Sequence, residues 1–332
     1  MYDYCGAIHI HSSYSFDGLR NIDEITASAQ RCGLDFVIIN DHASIESKKY
    51  DGWHSDVLLI TGEEITPEKN HYLAFGIKKP VVVPKNYSNP QVYIDEVNKQ
   101  GGFGFIAHPD HTGNQKFRIK SYLWNNWDVK NYTGIAIWDL QTDWQETLTN
   151  FPKAVLSYLF PVYFMKGPKK ETMRRWDMMN KDHGHIKYAL GEVDNHETIK
   201  KYFGVIKARI FPFDFAFKTI RTHVLLPEPL AKTGADIEKV LSAIKNGLSY
   251  VSNDFFKNAA GFRFYCERGK LFVKIPAPGM IKIIKNGEEI FQSFSGEAEI
   301  NNTGKGVYRC EVYLKKIKYY PWIFSNPVLF EG

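Results

Sequence analysis

The stretch "AIHIHSSYSFDG" (residues 7–18) sets an apolar run carrying His9 and His11 against a polar segment that holds Asp17. On an extended backbone alternate side chains share a face. His9 and His11 are therefore expected to point together, with Ile8 and Ile10 on the opposite side. Two imidazoles on one face can share a cation; they can equally be two polar residues closing a strand. The choice depends on what the other strand ends carry.

Outward from this stretch, short apolar runs alternate with helical patterns up to about residue 254. The runs include "FVIIN", "VLLITG", "YLAFGI", "GFGFIAH", "GIAIWDL", "IKYALG" and "THVLL". Asn21 with Glu24 forms a capping box, Ile22, Ile25, Ala29 and Cys32 lie at core spacing, and Gly33 ends that helix. Asn89-Pro90 opens a second helix, and a third is expected over about 235–246. This alternation argues for a parallel α/β architecture, and the number of runs for a barrel over residues 1–254. Residues 113–185 are aromatic-rich and read as one strand within excursions over an end of the barrel. After residue 254 the pattern turns to period two, with Asn286-Gly287 as a hairpin turn. A small antiparallel, β-sandwich-like domain is expected over 255–332.

Composition narrows the function classes. At 44% hydrophobic and 24% charged residues the chain reads as globular. No apolar run reaches the ~20 residues of a membrane span, and no basic-then-apolar leader is visible at the start. The four scattered cysteines include no CxxC pair, which fits reduced thiols in the cytoplasm and leaves any metal to His and carboxylates. From Lys257 onward there are 12 Lys and Arg against 7 Asp and Glu, so the net charge of +5 sits in the C-terminal segment. The neutral remainder argues against a polyanion groove there.

The other strand ends answer the opening question. "FVIINDH" finishes with Asp41-His42, "VLLITGEEITPEKNH" carries Glu63, Glu64 and His71, "FGFIAH" finishes with His108, and "YALGEVDNH" carries Asp194 and His196. In barrels of this kind functional residues gather at the C-terminal ends of strands. Buried imidazoles and carboxylates need partners, and no matching set of Arg or Lys accompanies them. Divalent cations are the natural partners.

This set resembles the polymerase and histidinol phosphatase family of metal-dependent phosphoesterases. The resemblance covers roughly residues 5–254: His9-x-His11 with Asp17, Asp41-His42, Gly62-Glu63-Glu64-Ile65-Thr66 with His71, His108-Pro109, and Asp194-x-His196, in that order. "PWIFSNPVLF" near the C-terminus resembles the end of a stand-alone branch of the family. The resemblance implies a distorted (β/α)7 barrel with three clustered divalent ions. One would be held by His9, His11 and Asp194, with Glu64 bridging to a second at His71 and His108; the third would take Asp17, His42 and His196. Six imidazoles and three carboxylates suit Zn²⁺, Mn²⁺ or Fe²⁺ better than Mg²⁺ alone. Three divalent ions outweigh three carboxylates, so the site favours an anion such as phosphate. The family often has a histidine where Asp17 stands, "GEVDNH" replaces the commoner Gly-Ser-Asp-Ala-His, and Ala43 stands where a polar residue is usual.

The implied activity is hydrolysis of a phosphate ester by a metal-bridging hydroxide, with a monoester of a small metabolite or nucleotide as the preferred substrate. Asp41 is read as orienting a ligand from behind, or as capping the following helix; Glu63 as a structural neighbour of Glu64. His111, Lys116 and Arg118 follow a ligand-bearing strand end, where they could contact substrate or form a solvated loop. Two other activities compete. A phosphodiesterase or exonuclease acting on short oligonucleotides would use Lys315, Lys316 and Lys318 with Tyr319, Tyr320 and Trp322 as a binding strip, which otherwise reads as a charged edge. An amidohydrolase would need a bridging lysine, and none lies at a suitable strand end.

Overall fold

The computed structural model describes residues 1–181, 185–202, 206–301 and 304–330. Residues 182–184 of the aromatic excursion and 302–303 and 331–332 of the C-terminal segment lie outside the described residues. Seven strands form the heart of a mixed α/β fold: β1 (Tyr2–Ile10), β2 (Phe36–His42), β3 (Val57–Ile65), β4 (Tyr72–Phe75), β5 (Phe103–Ile106), β6 (Gly134–Asp139) and β7 (Tyr188–Glu192). They neighbour one another in that order. Just beyond β7 the chain returns to β1: Val193 N donates to Ile8 O at 3.0 Å, Asn195 N to His9 O at 3.2 Å, and His11 N to Asn195 O at 3.0 Å.

Inward-facing side chains of these strands make one continuous apolar core, with Ile8, Ile38, Ile60, Leu73, Phe105 and Leu190 among them. Val240, Leu241 and Ile244 of the helix Ala235–Lys245 belong to the same core. Outward residues such as Ala7, Val37 and Leu59 join a second core shared with the helix Ile22–Arg31. That helix carries the expected capping box, a device worth about 1 kcal/mol.

Two expectations from the sequence are corrected. β4 is antiparallel to both β3 and β5, so the sheet is mixed rather than parallel. The segment from Thr66 to His71 is too short for a crossover, which needs about a dozen residues, so the chain must turn straight back. In β1 the pairing with β2 slips between Ile8 and Ile10, where His9 takes a left-handed φ of +69°. This bulge reverses the alternation. Ile8 therefore faces the inner core and Ile10 the outer one, not the same side.

β8 (Ile220–Leu226) runs antiparallel to β1, and β9 (Ser249–Asn253) to β8. Beyond them come β10 (Arg263–Glu267), β11 (Lys270–Lys285), β12 (Glu288–Ile300), β13 (Gly306–Lys315) and β14 (Tyr319–Ser325), all antiparallel, with β14 hydrogen-bonded to β9. Asn286 and Gly287 both take positive φ, the conformation a two-residue hairpin turn demands. Tyr308, Cys310, Val312 and Leu314 share a buried face as their period-two pattern requires. The C-terminal segment also grips the first seven strands: the Asn326 side chain accepts from Ala189 N at 2.7 Å and donates to Ala189 O and Ser249 O at 3.1 Å each. Among the described residues no helix is long and apolar enough to cross a membrane.

Candidate metal centre

Each inward-facing run ends on a polar residue at the same end of the strands. Phe36, Ile38 and Asn40 lead to His42; Leu58, Ile60 and Gly62 lead to Glu64; Leu190 and Glu192 lead to Asp194. β4 enters from that end because it runs backwards, which is why His71 stands at its start. Three of the residues sit on left-handed backbone: His9 at +69°, His108 at +24° and Asp194 at +44°. Non-glycine residues there cost of order 1 kcal/mol each and cluster at functional sites.

The side chains form three groups, in each of which the candidate ligand atoms lie within 4.8 Å of one another. The first is His9, His11, Glu64 and Asp194; the second Glu64, His71 and His108; the third His11, Asp17, His42 and His196. Glu64 is the hub. Its Oε2 lies 3.1 Å from His9 Nε2, 3.5 Å from His11 Nε2 and 3.1 Å from His42 Nδ1. Its Oε1 lies 2.8 Å from His71 Nδ1 and 3.2 Å from His108 Nε2. Asp194 Oδ1 is 3.5 Å from His9 Nε2 and 3.4 Å from His11 Nε2. Asp17 Oδ2 is 3.2 Å from His42 Nε2 and 3.3 Å from His196 Nε2.

The electrostatics describe a site that wants positive charge. Burial opposes ionisation of Glu64 and Asp17, yet the surrounding imidazoles hold both carboxyls well below the usual range. Burial likewise opposes charge on His42 and His108, but the carboxylates push them up to about 10 and about 9. His11 is pushed down to about 3 by burial and by the neighbouring His196 and His42 rings. The His9 and His11 Nε2 atoms and His42 Nδ1 are buried without a hydrogen-bond partner. Five imidazole nitrogens cannot all be satisfied by one carboxylate, whereas divalent ions would engage every one of them. The donor set of imidazoles and carboxylates therefore fits divalent metal.

Behind the cluster a second layer of contacts holds it. Glu192 Oε2 is 2.8 Å from His9 Nδ1, and its Oε1 accepts from His108 N at 2.6 Å. One carboxylate thus turns the His9 ring so that Nε2 faces the cluster, the arrangement typical of metal-bound histidine. Asp41 accepts from Ser12 N at 2.6 Å and Ser12 Oγ at 2.7 Å, pinning the turn that follows His11. Glu63 faces away from the cluster, accepts from Val81 N at 2.8 Å, and is pushed up to about 7 by burial.

The three expected substrate contacts are dispersed. His111 is buried beside His108, bonded to Gln145 Oε1 at 2.7 Å, and pushed down to about 4 by burial, so it is neutral. Lys116 is exposed and donates to Thr149 O at 2.9 Å; Arg118 is exposed on a left-handed residue of the same turn. Glu192 carries a signal in the sequence that the motifs alone do not use: it stands two residues before Asp194 on one strand face. Nor do the motifs use Tyr122, whose ring lies 4.8 Å from that of His71, or Phe16, whose ring stacks on His42 at 4.8 Å. Of the basic strip, Tyr320 and Trp322 are buried in the core, and only Tyr319 among its aromatics is exposed.

Fold and site together place a cluster of histidines and carboxylates, with a donor set that suits divalent metal, at one end of a mixed sheet. The chain is 26% identical to the "Probable histidinol-phosphatase" of Thermotoga maritima over 133 residues, 31% of this chain and 54% of that protein. It thus spans about half the length of the curated relative it matches. This homology is weak, and it falls in the family that the motifs resemble; the histidine, glutamate and aspartate cluster fits a metal site of that family. A crystal structure titled "putative metal-dependent phosphoesterase" from Bifidobacterium adolescentis matches with a TM-score of 0.37 at 14% identity, covering 61% of this chain and 90% of that one. No protein-family model matches the chain.

Proposed function

We propose that the chain is a metal-dependent phosphoesterase that hydrolyses a phosphate monoester of a small metabolite or nucleotide at a three-ion site. The observation that carries this reading is the convergence of five imidazole nitrogens on Glu64, flanked by Asp17 and Asp194. His9, His11, Asp194 and Glu64 would hold one ion, Glu64, His71 and His108 a second, and Asp17, His42 and His196 a third. Zn²⁺, Mn²⁺ and Fe²⁺ suit these donors. When bound, such ions acidify water to a nucleophile at neutral pH and neutralise phosphoryl charge.

The chain's own residues orient that chemistry. Glu192 fixes the His9 tautomer and the His108 backbone; Asp41 fixes the turn leading to Asp17. The buried, neutral His111 offers a hydrogen bond rather than a charge. The return of the chain from β7 to β1 supports reading the seven strands as a distorted barrel over residues 1–254. A separate core around Val273, Ile281 and Trp322 supports a β-sandwich-like unit over 255–332. Four free cysteines support a cytoplasmic setting.

The test is phosphate release from an aryl phosphate monoester by Mn²⁺-loaded protein, chelated protein and Asp194→Asn. Activity that needs both metal and Asp194 is expected. A folded, metal-loaded protein inactive on monoesters but active on a diester or short oligonucleotide would replace the monoester reading.

A further inference from the structure

Phe16 stands immediately before Asp17 and is 86% exposed. A single exposed phenylalanine is ordinary on a protein surface. This one is unusual in where it is held. Its ring lies nearly parallel to that of His42, with centroids 4.8 Å apart and planes 19° from parallel, and most of its surface stays open to solvent beside the cluster.

The loop that carries it is pinned on both sides. Ser13 N donates to Arg20 O at 2.7 Å, Ser15 N to Ser12 O at 2.9 Å, and Ser15 Oγ to Asp17 at 2.8 Å. Arg20 in turn is bound to Glu197 at 2.7 Å. Gly18 lets the loop close on itself, because a Cβ there would sit 2.0 Å from Ser12 O. The ring is thus presented at the edge of the cluster by a rigid turn, with its ordering cost already met on folding. At the other end of the cluster the half-buried Tyr122 ring lies 4.8 Å from His71 and 5.3 Å from His111. Flat aromatic surfaces therefore border both ends of the place where a phosphoryl group would sit.

We infer that Phe16 is a specificity-determining residue whose open face stacks on a planar ring in the leaving group, so that the substrates are phosphate esters bearing an aromatic or heteroaromatic ring. This rests on the phosphoesterase reading and narrows it. Stacking on a preformed aromatic face discriminates by ring, not by charge, and it operates whether or not bond cleavage follows.

The test uses two non-hydrolysable probes, benzylphosphonate and propylphosphonate, titrated calorimetrically into metal-loaded wild type, Phe16→Ala and Phe16→Trp. Phe16→Ala should weaken benzylphosphonate about tenfold, equivalent to about 1.4 kcal/mol, and leave propylphosphonate within twofold. Phe16→Trp should restore the preference. Equal weakening of both probes, or of neither, overturns the inference while leaving the phosphoesterase reading intact. Failure of both probes to bind metal-loaded wild type overturns that reading and this inference with it.

Discussion

Replacing Glu192 by glutamine changes one oxygen to nitrogen and should cost metal affinity without unfolding the chain. In the native site Oε1 accepts from His108 N at 2.6 Å, and Oε2 lies 2.8 Å from His9 Nδ1. Both contacts need an acceptor on the Glu192 side if His9 is to keep its proton on Nδ1 and its lone pair on Nε2. A glutamine has one acceptor. If its oxygen stays on His108 N, its NH₂ meets His9 Nδ1, which must then become the acceptor and move its proton to Nε2, the atom facing the cluster. If the amide flips, an N–H faces the His108 N–H instead. The first arrangement must be undone to bind an ion at His9; the second leaves His9 as it was but sets two N–H groups against each other behind His108. Loss of such a partner lowers metal affinity about 10- to 100-fold, or about 1.4–2.7 kcal/mol. Competition against a chromophoric chelator measures it, with circular dichroism to confirm the fold. A folded Glu192→Gln whose affinity lies within twofold of wild type would refute the argument.

Other outcomes follow from elements away from the cluster. The buried His223 lies between Asp3 Oδ1 at 2.9 Å and Asp254 Oδ2 at 3.3 Å, so His223→Leu should destabilise the chain by about 3 kcal/mol in urea unfolding. Burial opposes charge on all three groups, yet the two carboxyls stay below their usual range and the imidazole above its own. The difference in melting temperature between wild type and His223→Leu should therefore be widest between about pH 4 and pH 6.5. It should shrink below that as the carboxylates protonate, and above it as pH passes the raised histidine value. Asn326→Ala strips partners from buried backbone groups of Ala189 and Ser249 and should cost about 2–3 kcal/mol by the same unfolding assay. Replacing Lys315, Lys316 and Lys318 together by glutamine should leave fluorescence polarisation of a labelled oligonucleotide unchanged, since Tyr320 and Trp322 face the core. A large loss of binding would favour the nuclease reading.

How much of this was written in the sequence differs from element to element. The helix at Ile22–Arg31 was legible because its signals are local: Asn21 and Glu24 cap each other across three residues, and Gly33 stops the turn. Asn286-Gly287 was legible for the same reason. The candidate ligands were legible because histidine and acid residues at the ends of apolar runs have no bland explanation as a group. The bulge at His9 was not, since nothing local marks a histidine for left-handed backbone; it is imposed by pairing with β2 and with the chain beyond β7. The reversal of β4 carried a readable signal in the short Thr66–His71 connection, which alternation of apolar runs had masked. The role of Glu192 depends on two residues more than 80 positions away, His108 and His9, and only the tertiary arrangement of the strands brings them together. Likewise Arg309 sits on the face of β13 opposite Tyr308, Cys310, Val312 and Leu314. It is buried because the helix Lys170–Asn180 covers it and Asp177 pairs with it at 2.6 and 2.8 Å.

With imidazoles on both of its oxygens, Glu64 would be shared between metal ions. Metal content per chain after loading and desalting, read by elemental analysis for wild type and Glu64→Gln, tests this sharing most directly. Close to three divalent ions are expected in wild type, with a loss of at least two in folded Glu64→Gln. Wild-type protein that folds but retains no ion, or a Glu64→Gln variant that retains the full complement, would contradict the sharing of Glu64.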